Sequence, residues 1–220
     1  MNKIFFFQEK FITDLSMILK ANLNKKNISK PYFHSERESL LANSRKNSKN
    51  KLKNAAVLCA IHLSNDNKVD VILTLRSKEL KNHAGQVSFP GGIFDRKDLN
   101  SPKDCALREA DEEIGINKNN LRVLGQLNDY ITGTKFKITP MVAILKKKKK
   151  LKINKNEVAE VFYFPIEYLS KKENLKLLKY SDPKTNLKYS YYDFTWNSYR
   201  IWGTTAKILV DLSNLIKKVC

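Results

Sequence analysis

The chain is poor in cysteine, in acidic residues and in long apolar runs. Three cysteines (Cys59, Cys105 and Cys220), none in a Cys-x-x-Cys pair, exclude a disulfide framework or a zinc ribbon as the main source of stability. They fit a reducing, cytosol-like compartment. No apolar run approaches the ~20 residues that a membrane-spanning helix needs. Gln8, Glu9 and Lys10 interrupt the first apolar stretch too early for a secretory signal, and the segment lacks the Arg-rich, acid-poor character of a transit peptide. No internal repeat is visible. What is present suffices for an ordinary globular domain: 220 residues, of which 42% are hydrophobic, can bury roughly 70% of the unfolded surface without a staple.

The scarcity of acid has a counterpart in 41 basic residues against 22 acidic ones, a formal charge of +19. Such an excess favours polyanionic partners: nucleic acid, acidic lipid or a phosphorylated small molecule. Nearly all of the positive charge is lysine and asparagine is abundant, the composition an AT-rich genome imposes whatever the function. The five consecutive lysines Lys146–Lys150 lie between strand candidates with neither Arg nor interleaved aromatics, so they read as a solvated loop and not a nucleic-acid patch.

Residues 1–50 stand apart from the rest. Apolar spacing over Gln8–Ala21 predicts an amphipathic helix, and the Lys/Asn/Ser-rich stretch Asn22–Lys53 reads as a poorly packed connector. Ala55–His62 is a buried strand, and Val69–Leu75 alternates like its hairpin partner across a turn at Asn65–Lys68. A short strand ends at Phe89-Pro90-Gly91-Gly92. Pro102–Ile114 has helical spacing and Gly115 stands at its C-cap. Leu121–Leu127, Lys137–Leu145 and Val158–Phe164 are further strands, and Trp202–Lys218 is a final helix. The aromatic stretch Tyr191–Tyr199 reads as strand or core packing, with a ligand-facing wall as the alternative. Cys105 reads as core.

One segment carries chemistry. In Ala106–Ile116 (ALREADEEIGI), Glu109 and Glu113 share a helix face and Glu112 is three positions from Glu109. Carboxylates so placed repel one another by a few tenths of a kcal/mol per pair and need a counter-charge. A hard divalent cation supplies it, since Mg²⁺ takes oxygen ligands and bridges carboxylates to substrate phosphates. Arg108 can orient a carboxylate through a bidentate contact. Gly91-Gly92 opens a loop into this helix and lets backbone approach a diphosphate.

Together, Gly92, Asp98 and Arg108-Glu109-Ala110-Asp111-Glu112-Glu113-Ile114-Gly115-Ile116 resemble the Nudix box of the Nudix hydrolases. Asp98 replaces the family's Glu, and the stretch from Gly92 to Arg108 is two residues longer than the general pattern, within Asp98–Asp104. Leu73-Thr74-Leu75-Arg76-Ser77, Lys81, Gly85 and Phe89-Pro90-Gly91-Gly92 resemble the signature of the coenzyme A diphosphatase branch, with Lys81 in place of Arg. Ile201–Ala206 is similar to the start of that branch's last helix. The resemblance covers about Lys53 to Val219.

It implies an α/β Nudix fold, a mixed sheet between helices, over residues 51–220. It implies hydrolysis of CoA or acyl-CoA to 4′-phosphopantetheine and adenosine 3′,5′-bisphosphate. Glu109, Glu112, Glu113 and the Gly91 carbonyl would hold Mg²⁺ or Mn²⁺, and Arg108 would orient Glu109. The base is Glu109 or a later carboxylate, Glu157 or Glu160. Arg76, Lys81, His83 and Gly92 would meet the substrate. The expected partner is a small molecule, with no stable nucleic acid and no membrane span, in the cytoplasm, and a homodimer remains open. The alternatives are another nucleoside diphosphate derivative, such as ADP-ribose or a dinucleotide, or a basic RNA-associated protein with little hydrolysis.

Overall fold

The computed structural model describes residues 3–24, 32–33, 52–66, 68–132, 134–148, 150–181 and 188–219. Most of the Asn22–Lys53 connector, and Lys149 of the lysine run, lie outside the described residues. The elements run in chain order: α1 (Lys3–Asn24), β1 (Tyr32–Phe33), β2 (Lys53–Leu63), β3 (Val69–Arg76), β4 (Val87–Ser88), β5 (Gly91–Ile93) and α2 (Pro102–Ile114). Then come β6 (Leu121–Gln126), β7 (Tyr130–Ile131), β8 (Phe136–Leu145), β9 (Val158–Pro165), β10 (Lys176–Ser181), β11 (Lys188–Trp196), β12 (Tyr199–Trp202) and α3 (Gly203–Ile216).

The frame is a mixed sheet ordered β1-β7-β8-β2-β3-β4, with β5 added to β2, β6 to β8 and β9 to β3. The apolar run in β2 is explained by burial on both faces. Ala56, Leu58 and Ala60 pack toward α2, and Cys59 and Ile61 pack toward the opposite layer. β2 also changes partner midway. Ala55–Val57 face β5, Ile61–Leu63 face β3, and Leu58 N donates to Pro90 O (2.8 Å) between them. That split sets Gly91-Gly92 against the middle of the sheet, beside α2.

The second layer holds α1, α3 and an antiparallel three-stranded sheet, β10-β11-β12. This small sheet is the main element absent from the sequence reading. β10 (KLLKYS) lacks the period-two alternation that marks a strand, and the β11–β12 turn rests on Asn197 in a left-handed conformation (φ 51°). The aromatic stretch belongs to it: Tyr199 and Trp196 stack on Phe162 of β9 at ring separations of 3.9 and 5.7 Å, and Phe194 is buried.

Helix α1 contributes to the same core. Phe11, Ile12, Leu15 and Leu19 are buried among Leu124, Tyr130 and the α3 side chains. Leu19 comes so close to β6 that a side chain at Gly125 would meet its Cβ at 3.0 Å. Leu15→Ala should therefore destabilise the protein by about 2–5 kcal/mol. A chemical-denaturation midpoint equal to that of the parent protein would show that α1 is dispensable. Among the described residues, no helix is long and apolar enough to cross a membrane.

Candidate active site

Helix α2 starts where Ser101 Oγ accepts from Asp104 N (3.2 Å) and Pro102 takes a first-turn position that misses no N–H bond. It ends at a left-handed Gly115. The loop before it is a tight turn in which Asp95 accepts from Lys97 N and Asp98 Oδ2 accepts from Asp95 N (2.7 Å). Leu99 and Asn100 follow, both left-handed, and Leu99 is 85% exposed. The additional loop length is thus carried as a solvent-facing bulge that leaves the register of the helix untouched.

Arg108 is the hub of this loop–helix unit. Its guanidinium has five N–H groups, and each finds an oxygen. Nε and Nη2 grip the two oxygens of Asp98 (2.8 and 2.9 Å), Nη2 also reaches Ile93 O (3.2 Å), and Nη1 donates to Glu109 Oε1 and Glu112 Oε2 (both 2.9 Å). Asp98 is 1% exposed, and its hydrogen bonds from Arg108 hold its carboxyl below the usual carboxylate range. Its role in the described structure is to anchor the loop to α2.

Glu109 and Glu113 face inward. Glu113 Oε2 accepts from Gly91 N (3.2 Å), and Arg76 Nη1 lies 3.8 Å from its Oε1. Burial, with repulsion from Glu109 and Glu157, pushes the Glu113 carboxyl up to about 7 despite the Gly91 and Arg76 contacts. Burial raises Glu109 as well, against the pull of Arg108. The two glycines make room for this arrangement. A Cβ on Gly92 would fall 2.4 Å from the Glu109 carboxyl, and one on Gly91 would fall 2.4 Å from Ala56 O. At Gly91 the clash is with backbone, so glycine alone fits, whereas at Gly92 a side chain would push the Glu109 carboxyl out of its place.

The two later carboxylates are separated by the sheet. Glu157 is close enough to Glu109 and Glu113 to repel both. Glu160 is opposite Leu75, on the face shared with Phe162 and Phe164, and accepts from Tyr199 Oη (2.5 Å). The structure therefore does not bring Glu160 to the carboxylates of α2, because strand alternation turns it toward the other layer.

Asn154, absent from the sequence reading, joins Glu157 to the box helix. Its Nδ2 donates to Glu157 Oε1 (2.9 Å) and its N donates to Glu113 O (2.9 Å). An Asn in a lysine- and asparagine-rich segment gives no sign of this beyond its turn-forming habit.

Of the substrate-side residues, Arg76 reaches the site, and its Nε is buried without a hydrogen-bond partner among the described residues. Lys81 and His83 lie exposed on the following loop, where His83 Nδ1 meets Gln86 Oε1 at 2.9 Å. Cys105 is buried under the loop, its thiol pushed up to about 12 by burial, which leaves no nucleophile there.

No three His, Cys, Asp or Glu side chains among the described residues converge into a ready-made metal cage. The donor chemistry nevertheless fits a hard divalent cation. Glu109 and Glu113 offer only oxygen, and their mutual repulsion with Glu157 marks a surplus of negative charge. Mg²⁺ is typically held by one or two carboxylates, with waters and substrate phosphates completing the set.

The NUDIX domain family model matches residues 52–183. The protein named uncharacterized Nudix hydrolase NudL from Photorhabdus laumondii is 37% identical over 151 residues, covering 68% of this chain and 79% of that protein. The peroxisomal coenzyme A diphosphatase ndx-8 of Caenorhabditis elegans is 36% identical over 113 residues, covering 51% of this chain and 48% of that protein. Among solved structures, the Nudix hydrolase RenU from M. smegmatis has a TM-score of 0.46 at 22% identity, covering 55% of this chain and 74% of that one.

Proposed function

Because this chain belongs to the Nudix hydrolase family, enzymes that cleave diphosphate bonds, we propose that it hydrolyses the diphosphate of coenzyme A or an acyl-CoA. The products are 4′-phosphopantetheine, or its acyl form, and adenosine 3′,5′-bisphosphate. The observation that carries this reading is the meeting of two motifs at one point. Arg76, from the segment resembling the CoA branch signature, lies 3.8 Å from Glu113 of the box. The likeness to the worm CoA diphosphatase supports the same substrate.

Glu109, Glu112 and Glu113, with the Gly91 carbonyl, are the residues that would hold Mg²⁺ or Mn²⁺. Bound there, the cation neutralises the diphosphate and lowers the pKa of water. Arg108 fixes Glu109 and keeps the loop on the helix. Arg76, partly exposed beside Glu113, meets the anionic phosphates with its guanidinium. Glu157, held by Asn154, is the carboxylate placed to take the proton of the attacking water. The water oxygen bonds to phosphorus, the bridging P–O bond breaks, and the leaving phosphate departs with its electron pair. Lys81, His83 and Gly92 line the approach of the substrate.

Product chromatography tests the reading. The full chain is incubated with CoA, ADP-ribose or NADH, with Mg²⁺, Mn²⁺ or EDTA. Metal-dependent release of adenosine 3′,5′-bisphosphate, well ahead of attack on the others, is expected. Preference for ADP-ribose or NADH would overturn the substrate and leave diphosphate hydrolysis. Binding of RNA that weakens steeply with salt, with no product from any substrate, would overturn both.

A further inference from the structure

The segment between the lysine run and β9 closes the end of α2. The last carbonyls of a helix have no partners within it. Here Glu113 O accepts from Asn154 N (2.9 Å) and Ile114 O accepts from Lys152 N (3.2 Å). Gly115 lets this strap pass, since a Cβ there would fall 2.8 Å from Lys152 Cβ. After Asn154 the chain makes a single turn, in which Asn154 O accepts from Glu157 N (3.1 Å) and Val158 N (2.9 Å). Glu157 O then accepts from Ser77 N (2.9 Å), next to Arg76. One strap thus joins the end of the box helix to the segment that carries Arg76.

The side chain of Asn154 adds a bond that the strap itself does not need. Its Oδ1 accepts from Asn156 N (3.2 Å), an Asx turn. A backbone N–H can only donate, so this contact fixes the amide: Oδ1 faces Asn156 and Nδ2 faces Glu157. Nδ2 donates to Glu157 Oε1 at 2.9 Å. The backbone bonds already close the turn, so the Nδ2 bond acts on the carboxylate alone. That carboxylate is repelled by Glu109 and Glu113, and the free torsions of a half-buried glutamate would let it swing away from them.

We propose that Asn154 is a positioning residue for the hydrolysis, an inference that rests on the reading of Glu157 as the base. Its carboxamide holds Oε1 of Glu157, so Oε2 is the oxygen presented to the attacking water. Oε2 takes the water proton as the water oxygen bonds to phosphorus. The residue that sets the base with its side chain also caps the box helix with its backbone. Base and α2 carboxylates are therefore kept in one frame, and a misplacement of about 1 Å in such a frame can cost about 10²-fold in rate.

The test is a double-mutant cycle on the full chain with CoA and saturating Mg²⁺, over Asn154→Ser, Glu157→Gln and the two together. Serine keeps an acceptor for Asn156 N, is too short to reach Glu157, and leaves the strap's backbone bonds untouched. Glu157→Gln should lower kcat by about 10²-fold or more, the scale of a general base. Asn154→Ser should lower kcat about tenfold with KM for CoA unchanged, and should cost nothing further in the Glu157→Gln background. Asn154→Asp, which keeps the acceptor and loses the donor, takes the place of Asn154→Ser in the cycle if the serine variant does not fold. A second readout needs neither metal nor turnover. In EDTA, the side-chain amide NMR signal of Asn154, assigned by its loss in Asn154→Ser, should shift in Glu157→Ala. Equal losses in both backgrounds, a loss confined to KM, a parental kcat in Asn154→Ser or an unmoved amide signal each overturns the positioning role. Parental kcat in Glu157→Gln overturns the base and the positioning role together. If ADP-ribose is cleaved and CoA is not, the same cycle on ADP-ribose decides the positioning role and only the substrate reading falls.

Discussion

Replacing Glu113 with Gln is expected to lower kcat by on the order of 10³-fold, the scale of several kcal/mol of lost charge stabilisation, without unfolding the protein. The shape of the side chain survives, and its amide oxygen can still accept from Gly91 N, the bond now made by Oε2. What is lost is a buried negative charge. Stability gives a second readout. The folded carboxyl titrates near 7 against an ordinary 4.5, so folding takes up a proton between those values. The stability of the metal-free parent therefore falls as pH rises through that window, and the full cost is present above it. At pH 8 in EDTA, Glu113→Gln should melt above the parent, and the two should converge below pH 4.5. Parental turnover at saturating Mg²⁺ would remove Glu113 from the site.

Arg108→Ala should have the largest effect on stability. It strips Asp98 of its cation while leaving the carboxylate buried, a change that typically costs about 3–5 kcal/mol. For a chain of this size that is roughly 10 °C in Tm. The pH dependence has a definite sign. The folded carboxyl of Asp98 is depressed below its ordinary 3.8 by Arg108. Its contribution is therefore fully present above 3.8 and is lost as pH falls through the lower folded value. Denaturation curves of parent and variant should draw together in acid. Asp98→Asn in the Arg108→Ala background should recover part of the loss, since it removes the unpaired charge. A loss below about 1 kcal/mol at pH 7 would show that the five-bond hub is not what holds the loop, since an exposed pair would give that little.

Much of this was legible without coordinates because it is local. The spacing of Ala106, Ala110 and Ile114, with Pro102 before and Gly115 after, marks α2 to its observed bounds. The apolar run of β2 and the alternation of β3 mark a hairpin that the register bears out. The reach of Arg108 to Glu112 follows from positions four apart on a helix. Of the small sheet β10-β11-β12, the aromatic stretch of β11 was legible as strand or core packing, but β10 and the pairing of the three strands were not, since that packing rests on Phe162 and Phe164 of a distant strand.

The sequence alone therefore determined the fold family, the box and the acidic stripe, all of which depend on residues close together in the chain. Tertiary structure decided what depends on parity and register. It decided that Glu157 faces the box and that Glu160 faces Tyr199. Glu160 pairs with Leu75 of β3, whereas Glu157 lies just before β9, past the register shift at Leu75/Arg76. In a strand, one residue of slip exchanges the two faces, so alternation places Glu160 within β9 but does not by itself place Glu157, which lies beyond the shift. The same holds for Arg76, whose place at the shift carries it to Glu113. It holds for α1 too, whose apolar stripe was plain but whose partner, the β6 edge and α3, lies more than a hundred residues away along the chain.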